Sequence, residues 1–125
     1  MGKQALKISL LIILSLAALG LIWFVVKKTG GEEHKPTELA IYIADGCHFC
    51  AQVEDYVKTN RLEEKLPIVF KEVSKSQNNA GELVQRAEKC GLDTNRLGVP
   101  ILYDGRDCYQ GDGEINNYLK NAAGL

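Results

Sequence analysis

Cys47 and Cys50, three positions apart, are the residues of this chain whose type and spacing could do redox chemistry. The apolar run before them, residues 39–44, contains β-forming side chains and predicts a buried central strand. Apolar residues at near-helical spacing follow them and predict a helix. A helix N-terminus presents unpaired N–H groups and the positive end of a dipole, and both stabilise a thiolate. The spacing therefore indicates a thiol–disulfide exchange site where a strand passes into a helix.

A long apolar segment precedes this site. It is an uncharged run of 19 residues, 8–26, which follows Lys7 and is closed by Lys27 and Lys28. As a helix it would span about 28 Å, close to the hydrocarbon thickness of a bilayer. Signal-peptide cores are usually shorter and precede a small-x-small cleavage site, which this run does not offer. Of the two interpretations, a cleaved signal peptide and an uncleaved anchor, we therefore favour a short tail at residues 1–7 and a single-pass anchor.

Charge is distributed unevenly along the chain, which has 15 Lys and Arg against 16 Asp and Glu and a formal net charge of −1. Four basic residues flank the apolar run, so the remainder carries 11 basic and 16 acidic side chains. It has no basic stripe, and nucleic-acid binding therefore has no support. The N-terminal amine and the acidic Glu32 and Glu33 tip an otherwise balanced positive-inside count toward an extracytoplasmic soluble domain.

The rest of the chain predicts a polar linker at residues 27–37 and one small α/β domain at residues 38–125. After the helix that carries the cysteines, the patterns predict a strand, a helix, two strands and a last helix, at residues 68–73, 80–90, 101–103, 106–110 and 113–122. Asp104 and Gly105 are a typical hairpin turn pair, because glycine tolerates a positive φ. Strands joined by a crossover helix should be parallel, and the hairpin should add an antiparallel edge.

This order of elements, β-α-β-α-β-β-α, resembles the thioredoxin fold in its compact glutaredoxin-like form. The motifs that carry the resemblance are Cys47-x-x-Cys50 after the first strand, Val99-Pro100 at the start of the third strand, and Gly111-Asp112-Gly113 after the hairpin. The resemblance covers essentially the whole soluble part. It implies a three-layer α/β/α domain with thiol–disulfide oxidoreductase activity.

The resemblance also implies roles for the cysteine motif. Cys47 would be the exposed nucleophile that attacks a substrate disulfide, and Cys50 the more buried residue that resolves the mixed disulfide. His48 and Phe49 would tune the pair: a protonated His48 could favour the thiolate, or it could point to solvent and do little. The buried acid that thioredoxins carry in the preceding strand is replaced by Ile41. The electrons would reside on the cysteines, so we expect no bound cofactor and no metal.

Substrate binding is likewise implied by the resemblance. Pro100 would be cis and would pack against the cysteine pair, while Val99 would offer its backbone N–H and C=O to an extended substrate segment. Gly111 and Asp112 match the glutathione-binding turn of glutaredoxins only in part, and Asp112 has the alternative role of a helix cap. The expected partners are protein thiols and disulfides and a redox partner, with glutathione as a candidate co-substrate.

The two remaining cysteines, Cys90 and Cys108, would both lie at the end of such a fold that is away from the active pair. A structural disulfide between them is then feasible, and two buried free cysteines are the alternative. The bond would contribute about 3 kcal/mol in the chain-entropy model. It would also imply an oxidising compartment, in agreement with an extracytoplasmic domain. Their distance from the first pair argues against a second redox pair that feeds it.

The sequence therefore predicts a membrane-anchored thiol–disulfide oxidoreductase, with the direction of electron flow undetermined. Two hypotheses of other classes stay open. One is a metal-binding module that uses Cys47 and Cys50 with His48 or Cys90, although structural zinc sites usually bring a second closely spaced ligand pair. The other is a non-catalytic thioredoxin-like docking domain, which the intact cysteine pair disfavours.

Overall fold

The computed structural model of this chain describes residues 2–28 and 36–125, and for residues 26–28 the backbone alone. Most of the predicted linker, residues 29–35, lies outside the described residues. The chain divides into two compact units, with the boundary immediately before Pro36. Each unit is described by itself below.

The first unit contains one helix, α1, Gly2–Lys28. It begins before the predicted span because residues 2–7 include Lys, Gln, Ala and Leu, all good helix formers, whereas charge alone set the predicted boundary. Its segment Gly2–Val25 is long and apolar enough to cross a membrane, and an 18-residue window within it has a mean hydropathy of 2.7. Every side chain of residues 2–25 is exposed. A signal sequence near the N-terminus meets the same criteria of length and composition. We therefore describe α1 as a candidate membrane span.

The second unit is a mixed α/β domain. Its elements in chain order are β1 Leu39–Ile43, α2 His48–Thr59, β2 Ile68–Glu72, α3 Gln77–Lys89, β3 Ile101–Tyr103, β4 Cys108–Gln110 and α4 Gly111–Ala122. The four strands form one sheet in the order β2-β1-β3-β4. β1 is parallel to β2 and antiparallel to β3, and β3 and β4 form the antiparallel hairpin. The predicted α/β class and the mixed sheet are confirmed.

The central strand β1 is buried on both faces. Leu39 and Ile41 face the apolar cluster formed with α2 and α4, and Ala40 and Tyr42 face the cluster formed with α3. All four are fully buried. Alternate residues of a strand point to opposite faces, so a continuous apolar run is what a strand covered by helices on both sides requires.

Element boundaries differ from the predicted ones where side chains or neighbouring strands set them. α3 begins at Gln77 rather than at residue 80, because the Ser76 hydroxyl caps it by accepting the Asn79 N–H at 3.3 Å. β4 begins at Cys108 rather than at residue 106. The hairpin turn takes up the residues before it, where the carboxylate of Asp104 accepts two backbone N–H groups.

α4 begins at Gly111, directly after β4, with Gln110 as its N-cap residue. The interpretation of Asp112 as the helix cap is therefore wrong, since Asp112 lies in the first turn. The strand runs into the helix without a loop, and the Glu114 carboxylate instead accepts the Gln110 N–H at 2.9 Å. This bond satisfies a donor at the helix N-terminus in the way a capping box does.

A polar network lies on the α3 face of the sheet, and the sequence patterns did not predict it. Oε1 of Glu82 accepts hydrogen bonds from the Tyr42 hydroxyl at 2.9 Å and from Lys71 at 2.7 Å, and it pairs with Arg86 at 2.5 Å. The Arg86 guanidinium lies 4.8 Å from the ring centroid of Tyr103. Burial raises the pKa of Tyr42 far above its ordinary value, and the hydrogen bond from Lys71 lowers the pKa of Glu82. Glu82 thus joins α3 to β1 and β2.

We expect Tyr42→Phe to lower the free energy of unfolding by about 1 kcal/mol, because it removes a partly buried hydrogen bond and leaves the ring in place. Tyr103→Phe is the matched control, since its hydroxyl donates to the Gly105 carbonyl in an exposed bond and should contribute about 0.5 kcal/mol or less. Urea denaturation of both variants measures the difference. Equal losses would contradict a role for Glu82 as the anchor of α3.

Candidate functional site

The disulfide Cys47–Cys50 lies at the N-terminus of α2, with a Cα–Cα distance of 5.2 Å. Cys47 is the N-cap residue, and its Sγ accepts the Cys50 N–H at 3.1 Å. Gly46, with φ of +73°, turns the chain from β1 into the helix. Cys47 is half-buried, whereas Cys50, one turn into the helix, is 1% exposed. The two cysteines thus differ in exposure.

Val99 meets this pair from a distant part of the chain. Its carbonyl oxygen lies 3.6 Å from Cys47 Sγ, although 52 positions separate the two residues. The Val99–Pro100 peptide bond is cis, and Pro100 is buried. The Pro100 carbonyl accepts the Gly111 N–H at 3.0 Å, which ties the start of α4 to the same segment.

The four residues predicted to bind substrate therefore lie in two adjoining segments. Val99 and Pro100 precede β3, and Gly111 and Asp112 open α4. Of these, Val99 contacts Cys47 directly. Gly111 is linked to Val99 through its hydrogen bond to the carbonyl of Pro100, the next residue in the chain.

The two residues between the cysteines are both exposed. The Nε2 of His48 lies 3.0 Å from the side-chain nitrogen of Gln52, one turn further along α2. The imidazole also packs edge-on against the ring of Phe49, with 5.5 Å between the ring centroids. Phe49 is 54% exposed, although it is a large apolar side chain. The contacts of His48 are thus made along the outer surface of the helix.

An open depression of about 480 Å³ borders Cys47. Its charged lining residues are Asp45, Glu54, Glu72 and Lys75. Asp45 and Lys75 form an exposed ion pair at 2.7 Å, and the hydrogen bond from Lys75 lowers the pKa of Asp45. This depression opens the start of α2 to solvent beside Cys47.

Glu72 closes the loops around that depression, and sequence reasoning did not single it out. Its carboxylate accepts the N–H groups of Ser74 at 2.8 Å, Lys75 at 2.7 Å and Asp45 at 3.3 Å, as well as the Ser74 hydroxyl. Chiefly because of the Ser74 hydroxyl, the pKa of Glu72 falls from its ordinary 4.5 to about 2. The signal in the sequence was a serine two positions after an acid at a strand end, which favours a side-chain-to-backbone turn.

The position of the buried acid of thioredoxins is taken by Ile41, which is fully buried in the apolar cluster with α2 and α4. Among the residues that the structure describes, the buried charged side chain is Asp104. Asp104 lies in the hairpin turn and serves the backbone there. The core behind the cysteine pair is therefore apolar at the position where thioredoxins place a carboxylate.

Cys90 and Cys108 are joined by a second disulfide, with a Cα–Cα distance of 5.9 Å. Cys90 is the C-cap residue of α3, and Cys108 is the first residue of β4. The Sγ of Cys108 lies 3.7 Å from the Arg86 carbonyl oxygen. This bond links the end of α3 to the edge strand of the sheet.

Within residues 2–28 and 36–125, no three His, Cys, Asp or Glu side chains are grouped so that they could hold a metal ion. The hypothesis of a metal-binding module gains no support from this arrangement. Comparison of the chain with known protein families, curated proteins and solved structures found no match. The function therefore has to be argued from the site itself.

We expect Glu72→Gln to destabilise the domain at neutral pH, because a neutral amide accepts the loop N–H groups less strongly than a carboxylate. The pKa of Glu72 is lower in the folded state, so its contribution is fully present above pH 4.5 and is lost as the pH falls through about 2. The difference in melting temperature between Glu72→Gln and the unsubstituted chain should therefore shrink as the pH falls from 4.5 to about 2.

Glu54→Gln is the matched control for this measurement, since it removes a carboxylate from the same depression without touching the loop N–H groups. Its melting temperature should follow that of the unsubstituted chain at every pH. If the melting temperature of Glu72→Gln also follows that of the unsubstituted chain, the hydrogen bonds from the loop N–H groups to Glu72 contribute nothing to stability.

Proposed function

We propose that this protein is a membrane-anchored thiol–disulfide oxidoreductase of the thioredoxin-like type, acting on protein disulfides. The observation that carries the proposal is the unequal exposure of the two cysteines at the N-terminus of α2. Cys47 is half-buried and borders an open depression, while Cys50 is 1% exposed. An accessible nucleophile beside a sheltered resolving thiol is what two-step disulfide exchange needs.

The exchange proceeds in two steps when the pair starts reduced. The Cys47 thiolate attacks a substrate disulfide, forms the mixed disulfide and releases the first substrate sulfur as a thiolate, which takes up a proton. The Cys50 thiolate then attacks Cys47 Sγ, forms the intramolecular disulfide and releases the second substrate sulfur. Two electrons pass from the pair to the substrate, and the reverse sequence oxidises a substrate dithiol.

The backbone around Cys47 favours its thiolate. The Cys50 N–H, 3.1 Å from Cys47 Sγ, points a donor at the atom that becomes negatively charged. It belongs to the first turn of α2, whose free N–H groups and dipole add in the same direction. This arrangement stabilises the thiolate without a basic side chain.

The second support for the proposal is the chain segment opposite the pair. Val99 approaches Cys47 with its backbone carbonyl, so an extended substrate strand that pairs with Val99 would bring its own disulfide to Cys47 Sγ. In this proposal Pro100 and Gly111 shape that edge, and Asp112 borders it. Glutathione, an extended tripeptide, is a co-substrate of the same kind.

The order of the elements and of the strands is compatible with a thioredoxin-like fold. We assign α1 as an uncleaved anchor because its apolar segment reaches bilayer length. The domain would then face an oxidising compartment outside the cytoplasm, where a disulfide such as Cys90–Cys108 persists.

We expect Cys50→Ser to trap mixed disulfides between Cys47 and substrate proteins, because the serine cannot resolve them. The full-length variant is expressed in cells, thiols are blocked with an alkylating agent, and adducts are resolved on non-reducing gels. Cys47→Ser with Cys50→Ser is the matched control, since it lacks the nucleophile. The absence of adducts specific to Cys50→Ser would contradict the proposal.

His48→Ala should leave the reduction potential of the Cys47–Cys50 pair nearly unchanged, because the imidazole contacts Gln52 on the outer surface of α2. Equilibration of the full-length chain with glutathione buffers measures the potential. If His48 instead stabilises the thiolate, its removal destabilises the reduced form. A shift of about 30 mV or more toward negative values would then show that His48 tunes the pair.

A further inference from the structure

The disulfide Cys90–Cys108 closes a ring of the chain, and the segment that approaches Cys47 lies within that ring. The bond joins residues 18 positions apart, and Val99 lies within the ring that it closes. On the C-terminal side of Val99 in the chain is β3, which pairs with β4. On the other side are residues 91–98, here called the approach segment, which connect α3 to Val99.

The C-terminal side of Val99 is held by the sheet. β3 pairs with β4, with Tyr103 opposite Cys108, and the Gly111 N–H bonds the Pro100 carbonyl at 3.0 Å. This side therefore stays in place as long as the hairpin is formed.

The N-terminal side of Val99 has a different anchor. In the described structure, the backbone hydrogen bonds of the approach segment run to α3 or within the segment, and none runs to a strand. Leu92 N–H donates to the Ala87 carbonyl at 2.9 Å, and Arg96 N–H to the Asp93 carbonyl at 3.1 Å. Its ties to the sheet are side-chain contacts, since Leu92, Leu97 and Val99 itself pack against the cluster of Ala40, Tyr42, Leu83 and Ile101. Through its backbone hydrogen bonds, the approach segment is joined to the end of α3.

The end of α3 is in turn joined to the sheet by the disulfide. Cys90 is the C-cap residue of α3, and Cys108 opens β4. The covalent link therefore runs from the edge strand through the end of α3 into the approach segment and on to Val99. The disulfide thereby restrains the N-terminal side of Val99, which the hydrogen bonds between strands do not reach.

We propose that Cys90 and Cys108 are positioning residues for substrate docking, whose disulfide holds the Val99 backbone at the distance from Cys47 that an extended substrate requires. This inference rests on the proposed function. It assigns the second disulfide a part in the reaction without placing it in the path of electrons. A displaced Val99 backbone weakens the binding of extended substrates and leaves the exchange reaction at Cys47 unchanged.

The test compares two substrates on the full-length chain in detergent micelles, with excess reduced glutathione as the electron donor that re-reduces the Cys47–Cys50 pair after each turnover and the rate without protein subtracted. One is a short peptide with one internal disulfide and a fluorophore–quencher pair, long enough to pair with Val99. The other is bis(2-hydroxyethyl) disulfide, which is too small to do so. For Cys90→Ser with Cys108→Ser we expect the KM of the peptide to rise about threefold or more, while kcat and the rate with the small disulfide stay unchanged.

Tyr42→Phe is the matched control, because it removes the hydroxyl that joins α3 to β1 through Glu82 and keeps the ring in the cluster and the Cys90–Cys108 disulfide. It should lower the melting temperature and leave the KM of the peptide unchanged. A KM that rises equally in both proteins, or in neither, would overturn the positioning role.

The serine variant adds hydroxyl groups at partly buried positions, so Cys90→Ala with Cys108→Ala is measured in parallel. Circular dichroism establishes that each protein is folded at the assay temperature. If neither pair of substitutions folds at any temperature, the bond serves the whole domain and the positioning role is overturned. If the unsubstituted chain reduces neither substrate, the proposed function fails, and this inference fails with it.

Discussion

The burial of β1 is the constraint on which the rest of the domain depends. Residues 39–42 are fully buried, so each backbone N–H and C=O needs a partner, and strands on both sides supply them. β2 lies parallel on one side and β3 antiparallel on the other. The carboxyl ends of β1 and β2 and the start of β3 therefore meet at one edge of the sheet. Cys47, Glu72 and Val99 reach the candidate site by this route.

The two faces of the sheet are held in different ways. On one face, α2 and α4 pack through an apolar cluster that fixes the helix carrying the cysteine pair. On the other face, α3 is held by a smaller cluster, by the Glu82 network and by the disulfide at its end. Both faces bear on the site, because α2 carries the cysteine pair and the chain after α3 leads to Val99, whose carbonyl lies beside Cys47.

Residue spacing decides much of the chemistry at the cysteine pair. Three positions amount to nearly one helical turn, so a cysteine at the N-cap and a second one in the first turn can bond to each other. The same geometry leaves Cys47 half-buried and buries Cys50. The helix backbone offers a donor to Cys47 Sγ, and the buried position of Ile41 behind the pair carries no acid.

Local patterns in the sequence were sufficient for the order of the elements, the buried central strand, the hairpin and the position of the cysteine pair at a helix start. Each of these follows from preferences and periodicities of residues that are close neighbours in the chain. The start of α4 at Gly111 was missed because β4 pairing and the Glu114 carboxylate set it. The exact first residue of α3 likewise depended on which of several polar side chains made the cap.

The sequence alone was sufficient to predict the α/β class, an apolar helix of membrane-spanning length and a cysteine pair that fits a redox role. The tertiary structure was needed to show that the Val99 carbonyl lies 3.6 Å from Cys47, that Glu72 binds the loop before Cys47, and that Glu82 bonds partners from two strands and its own helix. These contacts join residues that are distant in sequence. Their geometry depends on how strands and helices pack, and no local preference encodes it.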